Sequence, residues 1–148
     1  MYRNATVQDA KKMNEINIAC LPENYDLHEW LTVLQYFSKF CFVAEVNNEI
    51  VGYILGIMQD AKHGNIASLA VSKNFRGRGI GKTLLVKSLV ELKKSKLSVT
   101  LHCRANSNPI AKTLYEKFGF IVKETLKNYY DTEDGYLMEN KCNSTKFR

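Results

Sequence analysis

Apolar residues recur along this chain with two different periods, and the switches between them mark its elements. Positions 2–6 read as an opening strand, and across 8–20 the residues Ala10, Met13, Ile16 and Cys20 keep the spacing of one helix face. A second helix follows Pro22, with Leu27, Trp30, Leu31, Leu34 and Phe37 predicted as its core stripe. From Phe40 to Gln59 the period shortens. Two β-branched and aromatic runs, Phe42-Val-Ala-Glu-Val and Ile50-Val-Gly-Tyr-Ile-Leu-Gly-Ile, flank Asn47-Asn48-Glu49 and predict a hairpin.

The second half repeats a strand-then-helix unit. Ile66 to Val71 predicts a third strand, residues 79–95 a long helix with Ile80, Leu84, Leu85 and Leu89 on one face, and Leu97 to Cys103 a further strand. Asn108 to Phe118 predicts a last helix, its stripe Ile110, Ala111, Leu114, Tyr115 and Phe118, stopped by Gly119. Strands near 120–127 and 136–141 bracket a loop. This order predicts an α/β (α+β) domain with a mixed, mostly antiparallel central sheet flanked by four helices, parallel only around the crossovers. No linker or repeat interrupts it, so residues 1–141 are expected to form a single domain and 142–148 a polar tail.

Composition narrows the setting. At 148 residues with 45% hydrophobic side chains, the chain buries a core without disulfides or metal. Cys20, Cys41, Cys103 and Cys142 are scattered with no CxxC pair, which suits reduced thiols rather than a zinc site or a disulfide framework. No stretch approaches about 18 consecutive apolar residues, and the chain starts Met-Tyr-Arg-Asn, so a cytoplasmic protein without membrane attachment is expected. The formal charge of +6 suits an anionic partner: a phosphorylated cofactor, an acidic peptide or an RNA-rich surface.

The segment Ser68-Leu-Ala-Val-Ser-Lys-Asn-Phe-Arg-Gly-Arg-Gly-Ile-Gly-Lys-Thr has the makings of a phosphate cradle: a strand, a basic glycine-rich turn, then a helix. Amides at a helix start lack intrahelical acceptors, and glycine admits a ligand to the backbone. Gly81-Lys82-Thr83 matches the tail of the nucleotide-binding GxxxxGK[ST] loop, but Arg76 stands where its first glycine belongs. A dinucleotide GxGxxG loop starting at Gly77 needs glycine at Lys82. The third pattern, RxxGxG, is met by Arg76, Gly79 and Gly81; by itself it is equally a basic helix entry with a tight turn.

RxxGxG after a central strand, together with Asn108-Pro-Ile-Ala-Lys-Thr-Leu-Tyr-Glu-Lys-Phe-Gly-Phe further on, resembles the two signatures of the GNAT acetyltransferase superfamily. Leu21-Pro-Glu-Asn-Tyr, His63-Gly64, Leu101-His102 and Tyr129-Tyr130 before Glu133-Asp134 resemble, within it, the catalytic subunits of NatA-type protein N-terminal acetyltransferases and their archaeal relatives, with RimI-type enzymes close behind. The resemblance runs from about residue 2 to 140. Against the NatA pattern the Arg104–Asn108 loop is about one residue longer and the Tyr129–Tyr136 loop about one shorter, so substrate preference does not carry over.

The resemblance implies acetyl-coenzyme A as co-substrate and protein or peptide N-termini as acceptors, with ribosome association or an auxiliary subunit as possible partners. Amides of Gly77, Arg78, Gly79, Ile80 and Gly81 would bind the pyrophosphate, with charge from Arg76, Arg78 and Lys82. Leu69, Ala70 and Val71 would pair with the pantetheine amides, and Asn108 would bond the same arm, although an N-cap role alone would account for it. An α-amino group of pKa about 7.7–8.0 is roughly a tenth to a fifth neutral at pH 7, so a positioned carboxylate or imidazole acting through water suffices as base.

Glu23, beside Leu21 and Pro22, is the first candidate base, expected to be desolvated and raised toward neutrality; the alternative is a solvated helix-entry glutamate. His102 is the second, or else a packed strand residue. Tyr115 would protonate the departing sulfur, though it also fits the helix stripe. Leu21, Pro22, Tyr25, Tyr129 and Tyr130 would wall the amino-terminus pocket, the tyrosines donating hydroxyl hydrogen bonds to the peptide, although Tyr129 is equally read as a surface-loop residue.

Cys103 as a nucleophile has no base spaced for it, and an amine attacks a thioester directly. Other acceptors, a lysine or a small amine, and a nucleotide-binding module using Gly81-Lys82-Thr83 remain as alternatives. No RNP1-type motif or KH loop supports specific nucleic-acid binding. In Asp131-Thr-Glu-Asp-Gly an EF-hand register puts Tyr130, Thr132 and Lys141 at ligand positions, so no metal is expected.

Overall fold

The computed structural model describes residues 1–141; the expected tail at 142–148, Cys142 included, lies outside the described residues. The strands are β1 (Tyr2–Asn4), β2 (Phe42–Val46), β3 (Glu49–Met58), β4 (His63–Val71), β5 (Ser98–Arg104), β6 (Ile121–Tyr130) and β7 (Glu133–Asn140). The α-helices are α1 (Ala10–Cys20), α2 (Leu27–Phe37), α3 (Ile80–Lys94) and α4 (Pro109–Lys117). The seven strands form one sheet in the order β1-β2-β3-β4-β5-β7-β6. Antiparallel pairing joins β1 to β2, β2 to β3, β5 to β7 and β6 to β7, while β4 and β5 run parallel. This is the mostly antiparallel, four-helix architecture that the sequence pattern predicts.

Contacts divide the chain into two units, Met1–Ile57 with Ile66–Glu91, and Met58–Asn65 with the residues from Leu92 onward. In the first, Trp30 is fully buried beside Met13, Leu34, Val43 and Leu55. Its indole meets Tyr25 and Tyr53 edge-on at 5.6 and 5.3 Å and donates to Asn14 Oδ1 at 2.8 Å, so the polar atom is satisfied inside the core. Asp26 caps α2 through a reciprocal box with Glu29. Asn47 and Asn48, both at positive φ, make the predicted hairpin turn with the twist its strands require.

In the second unit, Val99, Leu101 and Cys103 alternate into the core from β5, leaving His102 on the opposite face. Met138 of β7 and Phe120 are buried as well.

Several expectations need correction. Leu27 is 53% exposed and Leu31 also faces solvent: α2 packs through the narrower Trp30 and Leu34 face, so the predicted stripe is too wide. Ile110 is 81% exposed for the same reason on α4. β4 begins at His63, where pairing of His63–Asn65 with Ser98–Thr100 recruits a polar segment; Asn65 Nδ2 donates to the Thr100 carbonyl at 3.0 Å. β6 extends to Tyr130 and β7 begins at Glu133, which leaves Asp131 and Thr132 as the turn.

Candidate active site

The glycine loop enters α3 with Gly77 and Gly79 at φ of +77° and +80°. A Cβ added to either meets nothing within 4 Å, so their outer face is open to a ligand. α3 begins at Ile80, whose side chain is buried, and its first-turn amides lack intrahelical acceptors. The loop is held from within. Arg76 Nε donates to the Val71 carbonyl at 2.8 Å, and the Arg78 guanidinium lies 5.0 Å over the Phe75 ring while donating to the Asn74 carbonyl. Lys82 is exposed and Gly81 half-buried in the first turn. Open glycines, a helix start and three cations fit a pyrophosphate.

In β4, Ala70 is buried and Leu69 and Val71 are half-buried. The loop between α1 and α2 is fastened by a buried polar chain. Asn17, fully buried, donates from Nδ2 to the Glu23 carbonyl at 3.1 Å and to Tyr53 Oη at 3.0 Å, and its Oδ1 accepts from Asn24 at 2.9 Å. Tyr53 Oη in turn lies 2.8 Å from Ser68 Oγ, next to Leu69. Leu21 is half-buried; Pro22 and Glu23 are exposed. The apolar enclosure expected around the Glu23 carboxylate is therefore not formed by Leu21 and Pro22. The half-buried Tyr25 donates its hydroxyl to the Ala67 carbonyl at 2.9 Å, so this O–H is engaged within the fold.

The other candidates belong to the second unit. His102 stacks on Tyr129 with ring centres 4.7 Å apart and planes within 6°, and Tyr129 meets Tyr130 edge-on at 5.0 Å. This partial burial lowers the His102 pKa, which keeps the imidazole neutral and able to accept a proton at physiological pH. Asn108 caps α4, its Oδ1 accepting from the Ala111 amide at 3.2 Å. The helix ends in a motif that fixes Tyr115. The Gly119 amide bonds the Glu116 carbonyl and the Phe120 amide that of Tyr115, with Gly119 at φ +91°. The accompanying apolar contact is the Tyr115–Phe120 ring pair at 6.0 Å. Burial pushes the Tyr115 hydroxyl up to about 12, so it remains a proton donor. Burial also raises Cys103, whose Sγ lies 3.6 Å from Met138 Sδ; a thiol held protonated is inert as a nucleophile.

Residues 10–120 match the Acetyltransferase (GNAT) family. The chain belongs to the GNAT acetyltransferase family. It is 36% identical to an N-alpha-acetyltransferase of Sulfurisphaera tokodaii, over 92% of this chain and 89% of that one. To the N-terminal acetyltransferase A complex catalytic subunit NAA10 of Arabidopsis thaliana it is also 36% identical, over 92% and 74%. Among solved structures it resembles Ard1 from Thermoplasma volcanium with a TM-score of 0.86 at 27% identity, covering 95% of each chain. This GNAT chain is thus an N-acetyltransferase whose co-substrate is acetyl-coenzyme A.

Within this acetyltransferase, sequence reasoning assigned no role to Asn17, Tyr53 and Ser68 behind the Glu23 loop, or to Arg104 and Glu133 beside Tyr130. The hydrogen-bonding types of Asn17 and Ser68 amid apolar runs are the one local hint; Arg104 and Glu133 carry no periodic signal. The cradle itself yields a first expectation. Gly79→Ala places a Cβ on the open face and sets an L-residue in the left-handed region, at roughly 1–2 kcal/mol. Calorimetry should show coenzyme A binding weakened about tenfold. Unchanged affinity would remove the loop from the cofactor site.

Among the described residues no three His, Cys, Asp or Glu side chains group to hold a metal, and no helix is long and apolar enough to cross a membrane.

Proposed function

We propose that this N-alpha-acetyltransferase modifies the α-amino group of protein N-termini by direct attack, with Glu23 or His102 drawing off the amine proton through water and Tyr115 returning one to the leaving sulfur. The substrate class is carried by the likeness to N-alpha-acetyltransferases over nearly the whole chain. Acetyl-coenzyme A supplies an activated thioester. The amides of Gly77–Gly81, aided by Arg76, Arg78 and Lys82, hold its pyrophosphate; Leu69–Val71 and Asn108 hold its arm. By the family resemblance, Leu21, Pro22 and the Tyr25 ring in the first unit and Tyr129 and Tyr130 in the second are assigned to acceptor binding. Glu23 is exposed, so this reading requires the acceptor peptide itself to enclose the carboxylate.

Peptide-library acetylation read by mass spectrometry tests this directly. Acetate is expected on N-terminal amines; transfer to lysines or polyamines instead would overturn the reading. Glu23→Gln should lower kcat about tenfold, a modest share of what general bases supply. A change within about twofold would pass the role to His102. In that case kcat/KM has an acid limb below the ordinary histidine value of about 6.5, since burial lowers this imidazole, and His102→Ala abolishes the limb.

The Arabidopsis relative is named as a complex's catalytic subunit. An auxiliary subunit is proposed here by that likeness, and ribosome association by the family resemblance alone, both to be checked by co-purification. A cytoplasmic setting belongs to the same proposal; the free thiols Cys20, Cys41 and Cys103 suit a reducing compartment.

A further inference from the structure

The acidic run Asp131-Thr-Glu-Asp-Gly has a use other than metal binding. Glu133 Oε1 accepts from the backbone amides of Asn106 and Ser107, both at 3.0 Å. Its Oε2 lies 3.5 Å from Arg104 Nη1, and the Arg104 guanidinium sits 4.2 Å over the Tyr130 ring. Next to it, Asp134 Oδ1 accepts from the Asn128 amide at 2.8 Å and the Asp134 carbonyl from the Ala105 amide at 3.0 Å. Asn128, at φ +53°, is the residue that turns the irregular end of β6 into Tyr129.

Gly135 completes the set. A Cβ there would lie 3.0 Å from Tyr130 Cε2 and 3.1 Å from two atoms of Tyr129, so only glycine lets both rings settle against β7 without displacement. Three consecutive residues thus touch the segment leading from β5 to the Asn108 cap and both tyrosines of the pair stacked on His102.

We propose that Glu133, with Asp134 beside it, is a positioning residue for acetyl transfer: a carboxylate clasp that ties the β5–α4 segment to the β6–β7 turn and thereby sets Arg104, Tyr129 and Tyr130 where the acceptor peptide enters. This rests on the reading above that these tyrosines wall the acceptor pocket. A clasp of this kind stabilises no reacting atom. It fixes the walls before substrate arrives, so its loss is read in the affinity for peptide rather than in chemistry or in coenzyme binding. Hydrogen bonds from Ser107 and Asn106, with Arg104 adding a smaller contribution, hold the Glu133 carboxyl down at about 2. The clasp is therefore ionised throughout the working range, and its contribution is independent of pH there.

The full-length Glu133→Ala and Glu133→Gln enzymes test it, assayed with an N-terminal peptide, by calorimetry with coenzyme A, and by amide hydrogen exchange. Glu133→Ala should raise the peptide KM about tenfold, equally at pH 6.5 and 8.5, leave coenzyme A affinity within about twofold, and expose the Asn106 and Ser107 amides to exchange. Glu133→Gln keeps a carbonyl acceptor for both amides and should recover most of the KM. An unchanged KM in Glu133→Ala overturns the proposal, as does a Gln variant no better than Ala, or a parallel fall of kcat, coenzyme affinity and Tm, which would mark general damage. If wild type acetylates some other amine, the N-terminal reading fails, and the clasp is judged by the same KM ratio with that amine.

Discussion

Tyr115→Phe should lower kcat about a hundredfold while leaving coenzyme A affinity within about threefold. The structure separates the hydroxyl from everything else the residue does. The ring packs on Phe120 and the helix end closes through backbone bonds, neither of which the substitution touches. What phenylalanine removes is one proton donor, and burial, which raises the hydroxyl to about 12, guarantees that this donor is loaded at any working pH. General acids contribute roughly 10²–10⁴, and the low end applies because a thiol of pKa about 8.5 is already a fair leaving group.

The pH profile gives a second reading of the same step. A donor held at about 12 imposes no alkaline limb below that pH, so any limb near neutrality belongs to the base or the amine. A Tyr115→Phe enzyme within about threefold of wild-type kcat would return Tyr115 to the helix stripe and nothing more.

The helix end around Tyr115 was legible in the sequence because its setting is local, whereas the proton-donor role of Tyr115 comes from the family resemblance. Helix face, Gly119 stop and Phe120 contact all fall within six consecutive residues, as do Arg76, Gly79 and Gly81. Features written at long range were not. Asn17 and Tyr53 stand 36 positions apart and meet only once α1 is laid on β3. Glu133 and Asp134 read as a polar loop, because the groups they bond lie in other segments; in the fold, backbone pairing of Glu133 with Tyr130 and of the Asp134 carbonyl with the Ala105 amide makes them strand residues. Hydrophobic spacing also overstates width: Leu27, Leu31 and Ile110 keep helical periodicity, yet stand outside the strip that the neighbouring elements cover.

The Asn17 chain carries the other large effect. Asn17→Ala should destabilise the protein by about 2–3 kcal/mol, a fall in Tm of roughly 5–10 °C, since each buried polar group left without its partner costs about 1–3 kcal/mol. Three groups lose a partner at once. The Glu23 carbonyl loses the Asn17 Nδ2 donor, Tyr53 Oη loses it while retaining Ser68, and Asn24 Nδ2 loses the Asn17 Oδ1 acceptor while retaining the Leu21 and Asn17 carbonyls. Tyr53, raised to about 12 by burial, cannot compensate by ionising. A double-mutant cycle separates this from simple cavity formation. Tyr53→Phe alone costs about 1 kcal/mol, and the pair should cost less than the sum by about 1 kcal/mol, because removing both partners leaves fewer groups unsatisfied. Strict additivity would mean the two act independently. The functional consequence follows from the loop that the chain fastens. With the Glu23 carbonyl released, the carboxylate loses its fixed backbone, so kcat/KM for peptide should fall about tenfold in the folded Asn17→Ala enzyme while coenzyme A affinity holds.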